Sequence, residues 1–356
     1  MFWDIEVGGD EQRNEDVKVA LKWMQGTDIQ RQLIPLKDVK IFFHEIVVPA
    51  MTSASTKPSL HAFYRAFSLV SSRAFIVDAY HGLAMVPVAD AFNHIRDNQV
   101  HLESAFDVCP DCGSLRQCIH DRENERNEFE PTSLSTEEDE EELYYTMATT
   151  TYIPMGIGGT RTRTEIFNTY GSHLSNAQLL NQYGFILDAN EADFISFDVE
   201  GVLRVLEVRT EMDVRKVWME RLNGVKEEVG ETEVLYVSEK ASDLRINSDG
   251  RITIGLFFLL CVAVGVVDDQ GLKQLLEAGG SEGERGDHGQ EIAPLARSIV
   301  TLCEHRLGEL TQDDVGEMLD DISPSYWRTR TVGMHVMAEQ AMLRSCISYW
   351  EEYLPE

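Results

Sequence analysis

Three short segments, met in a fixed order, narrow the folds open to this chain more than anything in its composition. The first is Ser72-Arg73-Ala74-Phe75, followed by Val86-Pro87-Val88-Ala89-Asp90-Ala91-Phe92-Asn93-His94. The second is Glu165-Ile166-Phe167-Asn168-Thr169-Tyr170-Gly171. The third runs from Leu174-Ser175-Asn176 through Leu179-Leu180 to Tyr183-Gly184-Phe185. Each is weak alone: an Asn-His pair usually closes a turn or sits satisfied in a core, and a Tyr-Gly pair is usually a turn.

The pattern around them suggests α+β. The first 80 residues read as helical, with Leu21, Met24 and Ile29, then Phe42, Phe43, Ile46 and Val47, at spacings of three to four. Leu60 to Val77 reads as one more helix, after a Ser/Thr/Pro loop from Met51 to Pro58. From Gly82 to His94 short apolar runs broken by Gly and Pro suit strand and turn. Residues 107 to 142 form a polar insert that opens with cysteines and closes with the acidic run Thr136 to Glu142, which is too polar to hold a fixed structure. Leu143 to Ile153 has a strand-like mix, and Gly156 to Arg163 should be a loop. Beyond Asp188 a strand-like segment leads into long amphipathic helices, two of them separated by a flexible loop from Gly279 to Gly289. The apolar stretch from Ile252 to Val267 falls short of the roughly 20 residues that span a bilayer and reads as a buried helix.

Taken in order, the three segments resemble the SET domain of protein-lysine methyltransferases. The closest branch holds the Rubisco large-subunit methyltransferase and the fungal ribosomal-protein lysine methyltransferases. In that branch an SRAF segment precedes P-x-x-D-x-x-N-H, and a GEE-x-x-x-x-YG segment precedes LSN-x-x-L-L-x-x-YGF. Looser likeness extends to Phe2-Trp3, to Leu21 through Asp28, to Asn247 through Ile252, and to a last helix with Glu339 and Leu343. The resemblance implies a partial SET-domain β-fold over residues 1–171, with a helical insert over about 1–80. From residue 172 to 356, the SET C-terminal motif would lead into an all-α substrate-binding domain of the Rubisco-methyltransferase type. A chain-threading crossover would bring Asn93 and Tyr170 together.

Methyl transfer from S-adenosylmethionine is an in-line displacement that gains most from alignment and from exclusion of water. The target amine must be neutral, although a free lysine has a pKa of about 10.4. A narrow aromatic channel beside a cationic sulfonium lowers it. By resemblance, the Tyr170 hydroxyl points at the transfer axis, and Tyr183 and Phe185 line the lysine channel. Asn93 and His94 contact the cofactor, and Asp90 and Arg73 brace that pocket. The bland alternative is that the three aromatics are core residues at a strand–helix junction.

Two departures stand out. The family opens its domain with a G-x-G segment whose backbone cradles the cofactor. This chain starts after the point where that segment would lie, and Gly8-Gly9 has no strand before it. An N-terminally truncated form with weak cofactor binding and an unpaired sheet edge is the expectation. The family's Gly-Glu-Glu is replaced by the longer Gly156-to-Glu165 stretch.

Charge bears on the partner. The chain has 61 acidic and 31 basic residues, a formal net charge of −30. Nucleic-acid binding needs Lys/Arg patches, so nucleic acid is not the expected partner; a lysine-rich protein is. Acidity that serves solubility alone is the competing view. Two functions are open: a lysine N-methyltransferase acting on a basic protein, ribosomal by resemblance, or a catalytically impaired SET-derived module that binds a basic partner. The expectation is a monomer in the nucleus or cytoplasm, away from membranes.

The opening residues show neither a basic n-region nor an apolar h-region, so the cysteines are expected to be reduced. Cys261, Cys303 and Cys346 are scattered in apolar surroundings. Cys109, Cys112, Cys118 and His120 form a C-x2-C-x5-C-x-H pattern, whose first pair sits on a tight turn ending at Gly113. Four such ligands suit structural zinc. An unliganded reduced loop and a redox pair remain alternatives.

Overall fold

A computed structural model describes residues 11–51, 58–104, 108–109, 112–114, 118, 120, 145–149, 165–208, 214–225, 235–236, 238, 240–265 and 289–355. Gly8-Gly9, the acidic run at 136–142, the Gly156–Arg163 loop and most of the 279–289 loop lie outside them. Among the described residues the α-helices of five residues or more are, in chain order, α1 (Glu11–Met24), α2 (Asp28–Gln32), α3 (Leu36–Phe42), α4 (Leu60–Ser71), α5 (Asn176–Gln182), α6 (Val199–Val205), α7 (Val214–Val225), α8 (Ile254–Ala263), α9 (Gly289–Glu309), α10 (Val315–Asp321) and α11 (Trp327–Glu351). The strands are β1 (Phe75–Ile76), β2 (Leu83–Ala84), β3 (Asn93–His94), β4 (Val100–Ser104), β5 (Tyr145–Thr149), β6 (Phe167–Asn168), β7 (Phe194–Ser196), β8 (Leu235–Tyr236), β9 (Arg245–Asn247) and β10 (Ile252–Thr253). The chain divides into two compact units, Lys40–His173 and a second made of Met1–Val39 with Leu174–Glu356.

In the unit from Lys40 to His173, α4 is capped by Ser59, whose hydroxyl accepts from the Ala62 N–H at 3.1 Å. Its Phe63 packs on Phe43 at 5.4 Å and on Phe67 at 6.0 Å between ring centroids. The helix stops at Ser71, shorter than the expected run to Val77. Phe75 and Ile76 instead pair antiparallel with Ala84 and Leu83, because the turn between them has its own bonds. There the Asp78 carboxylate accepts from the Tyr80 and His81 N–H groups at 2.9 and 2.6 Å. The two-stranded pair leaves Ile76 83% and Leu83 65% exposed. β3 pairs in parallel with β6, and β4 pairs antiparallel with β5.

The other unit is built around α8, whose residues Gly255 to Val262 are all buried. A helix apolar on every side can only be stable inside, which is how the Ile252–Val267 stretch reads from sequence. Thr253 caps it, accepting from the Leu256 N–H at 3.3 Å. No described helix is long and apolar enough to cross a membrane.

Two corrections apply here. The C-terminal half is not all-α: β7, β9, β10 and β8 form a four-stranded mixed sheet, antiparallel except where β10 meets β8. Its Ile195, Leu235, Ile246 and Ile252 are buried, so these short segments gain more as half-buried strands than as helix turns. Residues 11–39 also cluster with the C-terminal half, not with the rest of the expected 1–171 domain. Asp16, buried on α1, accepts from the Thr329 N–H and hydroxyl of α11 at 2.9 Å each. The Trp23 indole donates to Asp313 at 2.9 Å.

Candidate functional site

The parallel pairing of β3 with β6 puts Asn93 opposite Phe167 and His94 opposite Asn168. Gln99 extends the join: its N–H donates to the Phe167 carbonyl, and its side-chain oxygen accepts from the Phe167 N–H at 2.8 Å. Tyr170 comes two residues after β6 and returns over β3. Its N–H donates to His94 Nδ1 at 3.0 Å. Its hydroxyl donates to the Phe92 carbonyl at 2.9 Å. The two rings stack, with centroids 5.2 Å apart and planes 24° apart.

These contacts fix the state of each group. A ring nitrogen that accepts an N–H is unprotonated, so His94 is the neutral tautomer with its proton on Nε2. Burial agrees, holding the His94 pKa below the usual histidine value. Burial raises the Tyr170 pKa, opposed by Arg73 and reinforced by Asp90, so the phenol keeps its proton. With that proton given to Phe92, the hydroxyl oxygen can meet an amine or a polarised C–H only as an acceptor.

Arg73 and Asp90 stand beside this pair. Arg73 Nη1 donates to the Asp90 carbonyl at 3.0 Å and approaches its carboxylate at 3.6 Å. Both side chains keep solvent contact, so the pair orients more than it stabilises. Asp90 lies on a 3-10 turn whose preceding residue, Val88, has φ 74°, a strained angle for a β-branched side chain. Asn93 is exposed, and its amide donates to Glu165 Oε1 at 2.5 Å. Sequence reasoning does not single out Glu165 as a site residue, although a motif opening on Glu, with an Asn amide in the preceding one, is the available signal. Gln99 offers none. The structure thus brings together Arg73, Asp90, Asn93, His94 and Tyr170.

Tyr183 and Phe185 belong to the other unit. There Ser175 and Gln178 form a capping box at the start of α5. Gly184, at φ +88°, ends the helix with its N–H on the Leu179 and Leu180 carbonyls at 3.0 and 3.1 Å. That turn sets the Tyr183 and Phe185 rings 6.3 Å apart. Asn176 braces the segment after the turn, accepting from the Leu187 N–H at 2.8 Å and donating to the Leu187 carbonyl at 2.9 Å.

The Cys109, Cys112, Cys118 and His120 ligand atoms all lie within 4.8 Å of one another. They are separate from the His94–Tyr170 pair in sequence and chemistry.

No family model matches the chain. It is 32% identical over 169 residues to Ribosomal lysine N-methyltransferase 3 of Saccharomyces cerevisiae, an alignment that covers 38% of this chain and 30% of that one. Its fold matches the SET domain of LSMT bound to lysine and AdoHcy, with TM-score 0.55, 14% identity, and 93% and 65% of the two chains covered. It also matches Rubisco LSMT bound to AdoMet, with TM-score 0.54, 15% identity, and 94% and 66% covered. The chain therefore spans less than two thirds of the length of each of these relatives. Its fold is thus similar to that of these SET-domain structures, and 169 of its residues align with a ribosomal lysine N-methyltransferase.

Proposed function

We propose that this protein is an S-adenosylmethionine-dependent lysine N-methyltransferase acting on a basic protein, with ribosomal proteins as the first candidates. The observation that carries this is the stacking of Tyr170 on His94, with the Tyr170 hydroxyl anchored on the Phe92 carbonyl. The residues present suit the cofactor. Exposed Asn93 carries both a donor and an acceptor, and with neutral His94 beside it suits a ligand with amino, carboxylate and adenine groups. When bound, the cofactor supplies an electrophilic methyl on a sulfonium.

The chain's own residues do the rest. Tyr170 presents hydroxyl lone pairs that orient the incoming amine along the transfer axis. Arg73 and Asp90 hold the wall behind it. Tyr183 and Phe185 are proposed on resemblance alone as channel aromatics, the kind of wall that strips water from an ammonium and favours its neutral form. The net charge of −30 favours encounter with a lysine-rich substrate. A monomer in nucleus or cytoplasm fits this reading.

Calorimetry with S-adenosylmethionine tests it, alongside transfer of labelled methyl to ribosomal proteins. Saturable binding that Asn93→Ala removes, with transfer cut about 10²-fold or more by Tyr170→Phe, is the expected result. Absence of cofactor binding in the folded chain would refute it. The yeast relative's name motivates the choice of ribosomal proteins as substrates.

A further inference from the structure

The cysteine-rich insert has no part in the chemistry above, yet its geometry is specific. Cys109 and Gly113 close a tight loop: the Gly113 N–H donates to the Cys109 carbonyl at 2.9 Å, and the Cys109 N–H donates to the Ser114 carbonyl at 3.0 Å. Gly113 has φ +71°, and a Cβ there would stand 2.7 Å from the Ala79 carbonyl oxygen. Only glycine meets both demands. The loop is therefore seated on the Asp78–Gly82 turn that joins β1 and β2, and it turns Cys109 and Cys112 toward one centre.

His120 supplies the decisive measurement. Its Nδ1 lies 3.7 Å from Cys109 Sγ and 3.6 Å from Cys118 Sγ. Two thiols crowd one imidazole nitrogen, and a metal at their common centre accounts for that separation and for the approach of the fourth ligand together. With Zn–S of about 2.3 Å and Zn–N of about 2.05 Å, a tetrahedron has S···N edges of about 3.5 Å and S···S edges of about 3.8 Å. The two S···N separations match the first figure, and all four ligand atoms fall within 4.8 Å. A disulfide would need sulfurs about 2.05 Å apart, and the cysteines are held as thiols.

We propose that Cys109, Cys112, Cys118 and His120 bind one zinc ion as a closed structural site. Zinc binds as the three thiols release their protons, giving three thiolates and a neutral imidazole around Zn²⁺. Four protein ligands leave no position for substrate, so the ion is a staple and not a catalyst. What it staples is the start of the polar insert, seated through Gly113 on the turn between β1 and β2.

The test is metal content of the full chain purified without added metal or chelator. About one zinc per chain is expected in the wild type and in the surface control His61→Ala, with a loss of about tenfold in Cys112→Ser and in His120→Ala. Should those variants fail to fold, wild-type chain stripped of metal and titrated with cobalt(II) gives the second readout. The visible bands of a tetrahedral thiolate centre should appear at one equivalent, with proton release. Wild-type chain that carries no zinc and gives no such bands overturns the proposal. So does zinc retained in both ligand variants, or a Cys109–Cys112 disulfide found by mass spectrometry after alkylation. Neither the metal measurement nor the cobalt spectrum depends on methyl transfer.

Discussion

Removing the Arg306 guanidinium should cost this protein more stability than any change at its surface. Arg306 is 1% exposed and donates through Nη2 to Asp28 Oδ1 at 2.8 Å. Nη1 donates to Glu309 at 3.1 Å, and Glu339 Oε2 lies 3.8 Å away. Asp28 and Glu339 are both 0% exposed. Arg306→Met keeps most of the side-chain volume and leaves buried Asp28 without its cation and Glu339 with His335 alone, 2.9 Å away, a loss of about 3–5 kcal/mol. The deficit should depend on pH. Burial, then Glu339, raises the Asp28 pKa to about 6 against the pull of Arg306. A carboxyl whose folded pKa exceeds its unfolded value holds a proton in the fold that the unfolded chain releases. Its contribution to stability therefore falls as pH rises from about 4 to about 6. Without Arg306 the Asp28 value climbs further, and the window widens toward neutrality. Urea unfolding monitored by tryptophan fluorescence reports on this unit, since buried Trp23, Trp218 and Trp350 all belong to it. The variant should be weakest near about pH 8 and recover part of the loss near about pH 5, where Asp28 is protonated. Equal deficits at both, or a deficit below about 1 kcal/mol at neutral pH, would refute the reasoning.

Three further expectations rest on single residues. His94 should titrate below 6.5 by proton NMR, because burial and its acceptor role at Nδ1 favour the neutral ring; being a depressed base, it costs stability as pH falls below that value, and a midpoint above 6.5 would contradict the assigned tautomer. Val88→Gly should raise stability by about 1 kcal/mol in thermal unfolding, since Val88 holds φ 74° while 72% exposed and loses little packing; a destabilised variant would show that the angle carries no strain. Gly250→Ala should lower stability by about 2 kcal/mol or more, as Gly250 has φ +85° and a Cβ would meet the Cys346 nitrogen at 2.8 Å; an unchanged urea midpoint would exclude that close approach.

How far the sequence can be read divides by the range of the cause. The buried α8 is legible because ten consecutive residues from Ile254 to Ala263 leave no polar face to put in water. The capping box at Ser175 and Gln178 and the helix stop at Gly184 obey local rules, so the Leu174–Phe185 motif announces a helix and its end before any function. Asn93, His94 and Tyr170 are legible only through family resemblance. Nothing within either segment says that residues 76 apart will share an N–H···N bond, and the parallel β3–β6 pairing that makes it is two residues long. Of the sheet in the C-terminal half only the strand-like segment beyond Asp188, where β7 lies, is legible, since β8 and β10 are two-residue strands whose pattern is too short to show a period of two.

Arg306 marks the limit most clearly. On an amphipathic helix an arginine reads as a solvated charge, and its own neighbours do not contradict that. Its burial is settled by Asp28, which lies 278 positions away, and by Glu339 on another helix. The likeness of the Gly-Thr-Asp segment and of Glu339 to one family hints that both ends matter. The bond from the Asp28 N–H to Glu339 at 2.6 Å joins the two ends, while Arg306 on Asp28 and His335 on Glu339 offset the repulsion between the buried carboxylates. An ion network of this kind leaves no periodicity in the chain, because its energy belongs to the set and not to any member. A single sequence therefore shows where apolar faces lie well before it shows which charges meet behind them.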